Sequence, residues 1–213
     1  MNGGKNMIVK KFVVGSLENN CFLVIEEMSK ECFITDPGDE PDRIMDFITE
    51  SKLKVKYLVC THAHFDHVGA VPELKKETGA KIVLHKADLP IYESSQEHAA
   101  MWGFEIDPLP QPDIFVSDGD TINIGNLHFE ILHTPGHSPG GICMYGEGVV
   151  ITGDTLFAGS VGRTDLPGGD VLKLKVSFQR LMSLPDRIRV LPGHGPETTI
   201  GRERTENFFV SEI

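Results

Sequence analysis

Apolar residues in this chain come in short runs, and the spacing within each run sets the element it predicts. Met7 to Val14, Asn20 to Ile25 and Cys32 to Thr35 are β-favouring stretches divided by turn residues, so they predict a meander of strands closed by Asp36-Pro37-Gly38. Pro41 stands where helices start, and Ile44, Phe47 and Ile48 recur at helical spacing, which predicts a helix running to Lys52. Val55 to Cys60 is apolar and rich in β-branched and aromatic residues and reads as a buried strand. Gly69 to Thr78 predicts a helix ended by Gly79, Lys81 to Leu84 a strand, and Lys86 to about Trp102 a weaker helix. Pro108, Pro110 and Pro112 are too close together for regular structure, so the stretch between Trp102 and Phe115 is expected to be a long connection of the kind that often carries function.

The second half repeats the strands-then-helix layout. Thr121 to Ile124 and Leu127 to His133 flank Gly125-Asn126, a glycine-first hairpin turn, and Gly141 to Tyr145 pairs with Val149 to Thr152 across Gly146-Glu147-Gly148. Asp170 to Ser183 is dense enough in apolar residues for a partly buried helix, Ile188 to Leu191 predicts a last short strand, and Gly201 to Ser211 a terminal helix. No composition break or linker divides the chain. The pattern therefore predicts an α/β fold in one domain spanning residues 1–213, with two mixed sheets face to face and helices outside, after a frayed leader over residues 1–6.

Composition narrows the function. The chain has 213 residues, of which 40% are hydrophobic, and its 20 basic against 31 acidic residues give a formal charge of −11. That balance repels nucleic-acid backbones and anionic membranes. No run is long enough to span a membrane and no signal-peptide pattern opens the chain, so a cytoplasmic protein acting on a small molecule is expected. Cys21, Cys32, Cys60 and Cys143 form no CxxC pair and sit in apolar runs, as small buried hydrophobes do.

The chemistry concentrates at Thr61-His62-Ala63-His64-Phe65-Asp66-His67, directly after a predicted strand. On extended chain His62 and His64 point the same way and can converge on one cation, while Asp66 and His67 follow as the chain turns and aim at a second point nearby. Imidazole and carboxylate suit zinc, manganese and iron, and the absence of cysteine argues against a closed structural zinc site. Three further polar residues sit beside glycines at strand ends: His137 in Thr134-Pro135-Gly136-His137-Ser138, Asp154 in Thr152-Gly153-Asp154-Thr155, and His194 in Leu191-Pro192-Gly193-His194-Gly195.

With these segments in order, the sequence resembles the metallo-β-lactamase superfamily, and within it the glyoxalase II-like (hydroxyacylglutathione hydrolase-like) enzymes, from about Met7 to Ile200. The resemblance implies an αββα sandwich holding two divalent metal ions, zinc or else iron or manganese. His62, His64 and His137 would hold the first, and Asp66, His67 and His194 the second. Asp154 would bridge them, and Asp66 and Asp154 would be the catalytic carboxylates. It also implies hydrolysis of a thioester of the S-acyl glutathione type, by hydroxide made available at neutral pH between two cations. The alternatives are a persulfide dioxygenase with a single iron, which shares the Gly-Arg-Thr-Asp segment 162–165, and a lactonase or other hydrolase of the superfamily. Full glyoxalase II carries a Lys and a Tyr after the bridging Asp, and a helical C-terminal extension. This chain has Arg163 and Asp165 there, with one short helix before Ile213, so glutathione specificity does not transfer with the chemistry. Arg163 is the substrate-binding candidate, or else the partner of Asp165, and His133 is a candidate outer support for a ligand.

Overall fold

Alternation with a period of two builds this architecture, because most of the long strands carry apolar side chains on both faces and must be covered on both. In the computed structural model, which describes residues 7–212, the chain starts at β1 and the leader expected over residues 1–6 lies outside the described residues. The first half runs β1 (Met7–Val14), β2 (Asn19–Glu26), β3 (Glu31–Thr35), α1 (Pro41–Glu50), β4 (Lys54–Val59), α2 (Phe65–Val68), α3 (Val71–Thr78), β5 (Lys81–His85), α4 (Leu89–Glu93), α5 (Ser95–Met101) and β6 (Ile114–Val116). The second runs β7 (Thr121–Ile124), β8 (Leu127–His133), β9 (Ile142–Gly146), β10 (Val149–Gly153), β11 (Leu156–Phe157), β12 (Ser160–Val161), α6 (Val171–Met182), β13 (Arg189–Pro192), β14 (Thr198–Thr199) and α7 (Ile200–Glu206).

Two six-stranded sheets form, in the orders β1-β2-β3-β4-β5-β6 and β14-β13-β10-β9-β8-β7. Both are mixed: the first turns from antiparallel to parallel at β3, and the second from antiparallel to parallel between β10 and β13. On β2, Cys21, Leu23 and Ile25 pack towards α1, α3 and α4, while Phe22 and Val24 point into the space between the sheets. Leu127, Phe129 and Ile131 of β8 meet them there, and Phe33 and Phe129 stack edge to face at 5.1 Å. On the far side Cys143, Val150 and Val190 turn outward under Leu174, Phe178 and Leu181 of α6. The result is helix, sheet, sheet, helix, as the pattern predicts. All four cysteines are free and buried in these layers, and among the described residues no helix is long and apolar enough to cross a membrane.

Three elements differ from their expected form. The single helix expected from Lys86 to Trp102 is a 3-10 turn followed by α4 and α5. The Ser94 hydroxyl donates to the Pro90 and Ile91 carbonyls and that of Ser95 to Ile91 and Ala63, which competes with the helical ladder and breaks it. The terminal helix stops at Glu206 because Asn207 is extended and its amide donates to the Phe157 and Ser160 carbonyls, after which the chain continues as a 3-10 turn. The proline-rich connection runs without helix or strand up to Asp113, as expected, and closes on β6, a three-residue strand that the pattern does not predict and that pairs in parallel with β5. Both hairpin turns have the expected form. Gly125 has φ +52°, and Glu147 and Gly148 both have positive φ, as a two-residue turn between twisted strands requires.

Phe129 is fully buried between the sheets. Phe129→Ala should lower the unfolding free energy by about 3–5 kcal/mol in denaturant titrations, with little change in the slope.

Candidate metal centre

The ligand-type residues all leave strand ends at one edge of the sandwich, and hydrogen bonds behind them decide which ring nitrogen faces inward. After β4 the backbone N–H and hydroxyl of Thr61 both donate to the buried carboxylate of Asp36, at 2.7 and 2.8 Å. With its proton committed, that hydroxyl can only accept from His62 Nδ1, 3.2 Å away. His62 Nε2 is thereby the lone-pair nitrogen, and it is buried with no hydrogen-bond partner. His137 follows the same logic, because its Nδ1 lies 2.8 Å from the Arg163 carbonyl, an obligate acceptor. Its Nε2 then faces His64 Nδ1 at 2.9 Å. His62, His64 and His137 thus present three nitrogens to one point, all within 4.8 Å of one another.

A second point lies beside it. His67 Nε2 is 3.4 Å from Asp154 Oδ1, 3.5 Å from Asp66 Oδ2 and 3.2 Å from His194 Nε2, while its Nδ1 turns back to Asp36 at 3.4 Å. Asp66, His67 and His194 form one set with ligand atoms within 4.8 Å, and His62, His67 and Asp154 another. Asp154 reaches both sides: its Oδ2 is 3.7 Å from His137 Nε2 in the first group and 3.7 Å from His194 Nε2 in the second. Close backbone approach makes this possible. A Cβ at Gly193 would stand 2.2 Å from Asp154 Oδ1, and one at Gly38 would stand 1.7 Å from the Asp66 carbonyl.

The electrostatics follow from burial. Desolvation, with the neighbouring imidazoles adding to it, holds His62 well below the ordinary histidine range and His64 down to about 3, so both are neutral donors. Burial alone would lower His67 as well, but the carboxylates of Asp154, Asp66 and Asp36 outweigh it and push it up to about 10. Asp66 is held below its usual range by His67 and His194, against the opposing effect of burial. Neutral imidazoles at His62 and His64, the ionised carboxylate of Asp66, and buried atoms His62 Nε2 and Asp154 Oδ1 that meet no donor suit a divalent cation, so the residues present fit two such ions.

All seven sequence-predicted ligands come together here. Sequence reasoning missed their supports. In the sequence Asp36 stands out only as the start of a turn, although it orients Thr61 and faces His67 Nδ1. Asp88 belongs to no motif, yet its buried carboxylate accepts from Ala63 N, Gly140 N and the Ser138 hydroxyl, tying the His62–His64 loop to the His137 loop. Asn20 holds the His194 loop through the Pro192 and Gly195 carbonyls. His133 stacks on His85 and hydrogen-bonds the Pro139 carbonyl, so it touches the loop of His137 and none of the ligands. Arg163 supports His137 through its carbonyl, while its guanidinium makes two bonds of 2.6 Å to Asp165.

The ligands open into a cleft of about 430 Å³ lined by His64, Asp66, His137, Asp154 and His194 together with Phe65, His98, Trp102 and Arg163. A neighbouring cleft of about 650 Å³ shares Leu17, Phe65 and Asp66 with it and takes Phe104 to Asp107, the start of the proline-rich connection, as its far wall.

With this geometry established, comparison with known proteins decides the family. The sequence profile of the metallo-beta-lactamase superfamily matches residues 14–194. The chain belongs to that superfamily. It is 38% identical to hydroxyacylglutathione hydrolase GloC of Haemophilus influenzae over 215 residues, covering 96% of this chain and 99% of that protein. The crystal structure of TTHA1623 in a di-iron-bound form superposes with a TM-score of 0.87 at 42% identity, over 94% of this chain and 100% of the other. That of BLEG-1 B3 metallo-beta-lactamase does so with 0.89 at 33% identity, over 96% and 100%. The superfamily binds divalent metals, typically two, and its members are usually hydrolases.

Because His67 is protonated below about 10 without a cation and a ligand nitrogen must be neutral, metal uptake near neutral pH should expel a proton and tighten as pH rises. Calorimetry of zinc binding in two buffers of different ionisation enthalpy should find at least one proton released per chain, since burial at His194 is likewise outweighed by the neighbouring carboxylates, which raise it as well. Uptake with none released would contradict a ligand role for His67.

Proposed function

We propose that this protein is a binuclear metal-dependent hydrolase of thioesters, acting on a small-molecule substrate. The observation that carries the reading is the pair of ligand sets, His62/His64/His137 and Asp66/His67/His194, with Asp154 between them at the floor of an open cleft. Three imidazoles would satisfy one catalytic cation; a second complete set beside them favours two over the single iron of a dioxygenase. The name of the Haemophilus relative supports a thioester as the bond cleaved. The acidic charge of −11 supports a substrate other than nucleic acid, and four free thiols accord with a reducing, cytoplasmic setting.

Two divalent cations would supply Lewis acidity there, lowering the pKa of water toward ~7 and polarising the carbonyl. The protein's own part is to bind and orient. Asp36, through Thr61, and the Arg163 carbonyl fix the tautomers of His62 and His137, so that Nε2 of each faces the centre without rearrangement. Asp66, held below the usual carboxylate range, stays ionised to balance cationic charge at the floor, and it lines the cleft where the scissile bond would lie. Phe65, Trp102 and Leu166 form apolar walls beside Asp66 and Asp154. No side-chain nucleophile is required.

Zinc- or iron-reconstituted protein should release thiol from S-lactoylglutathione at the same rate under argon as in air. Asp154→Ala should lose metal and at least the roughly 10–100-fold in rate that removing an outer partner of a ligand costs. Turnover that stops without oxygen would replace the hydrolase reading with the dioxygenase one.

A further inference from the structure

The upper walls of the metal cleft are of a different character from its floor. Leu17, Ile91, Met101, Trp102, Leu166 and Pro167 line them, and of these Met101 is 82% and Trp102 56% exposed. Large apolar side chains left in water beside a catalytic centre carry a solvation cost that a substrate can relieve. Arg163, the only Lys or Arg among the described residues that line the cleft, is already held by both oxygens of Asp165. A substrate carboxylate would have to displace that bidentate partner, whereas a hydrocarbon group meets an open surface.

We propose that this rim is an acyl-binding subsite that selects thioesters of uncharged, hydrocarbon-rich acyl groups, with Trp102 and Met101 as its specificity-determining contacts. The assignment rests on the thioesterase reading above. The thiol carriers of biological thioesters are polar peptides or nucleotides, so the hydrocarbon of such a substrate lies on its acyl side. The rim is continuous with His64, His137 and Asp154, which keeps an acyl chain lying on Trp102 joined to a carbonyl over the floor. Placement of both ends by one cleft raises kcat/KM with chain length, because each added methylene leaves water for the Trp102 and Met101 surface.

Trp102 is the chain's only tryptophan, which gives a readout independent of catalysis. The metal-loaded protein is titrated with S-hexyl-N-acetylcysteamine, a thioether that cannot be hydrolysed, and with its S-methyl counterpart. The subsite requires a saturable shift of Trp102 emission with the hexyl compound at roughly tenfold lower concentration than with the methyl one. In parallel, kcat/KM for S-hexanoyl- over S-acetyl-N-acetylcysteamine should be about tenfold or more in the wild type. That ratio should fall to within about threefold in Trp102→Ala, and should also fall in Met101→Ser, which keeps the fluorophore. Equal turnover of the two acyl groups with no emission shift overturns the subsite while leaving the hydrolase reading intact. Hexyl-specific binding without hydrolysis of any thioester supports the subsite and removes the proposed reaction. Emission that instead shifts with protein concentration alone, in step with a change in sedimentation, overturns the subsite in favour of contact with a second copy of the chain.

Discussion

Seven imidazole and carboxylate side chains from both sheets converge at one edge of the sandwich, with their ligand-type atoms grouped within 4.8 Å of one another. His62 Nε2 and Asp154 Oδ1 are buried without a donor. An unpaired polar atom in such surroundings costs about 1–3 kcal/mol, a cost that a cation bound between them would offset. At His67 burial is outweighed by the carboxylates of Asp154, Asp66 and Asp36, which push the pKa up to about 10, so a proton and a cation compete for the same place. The remaining layers have to be rigid enough to hold this arrangement together.

They achieve it by fixing the backbone on each side of every ligand. The parallel pair β3–β4 in one sheet and the parallel pair β10–β13 in the other end at the same edge of the sandwich, so that the segments after β4, β10 and β13 bring His62, Asp154 and His194 to one place. Asp36, Asp88 and Asn20 then cross-link the loops through buried hydrogen bonds that join residues far apart in sequence. The Gly193 and Gly38 positions admit no side chain, because the space a Cβ would fill already belongs to Asp154 and Asp66. Layer packing, loop cross-links and ligand tautomers therefore form one chain of cause, from period-two alternation to a site whose nitrogens already point inward.

Much of this was legible in the sequence, and what was legible has a local cause. The β-favouring runs Asn20 to Ile25 and Leu127 to His133 predict strands, the segment His62 to His67 stands out by its density of ligand-type residues after an apolar run, and His137, Asp154 and His194 are marked by the glycines beside them. The break at Ser94 was not legible, because it depends on the Ser95 hydroxyl reaching the Ala63 carbonyl across the fold. Asp88 was silent for the same reason: its partners at Ala63, Ser138 and Gly140 become neighbours only when the two sheets close. Strands of two residues, such as β11, β12 and β14, carry too few positions for any period to show. For Arg163, the residue type suggested a role for the guanidinium, while the contact that serves the site is its carbonyl, to which sequence is blind.

Two cations in one prebuilt pocket are the centre of this account, and anomalous diffraction from crystals of reconstituted protein, recorded on either side of the metal's absorption edge, observes them directly. Two peaks are predicted, one within bonding distance of His62, His64 and His137, the other of Asp66, His67 and His194, with an Asp154 oxygen touching each. A single fully occupied peak that leaves Asp66 and His194 uncoordinated would contradict it.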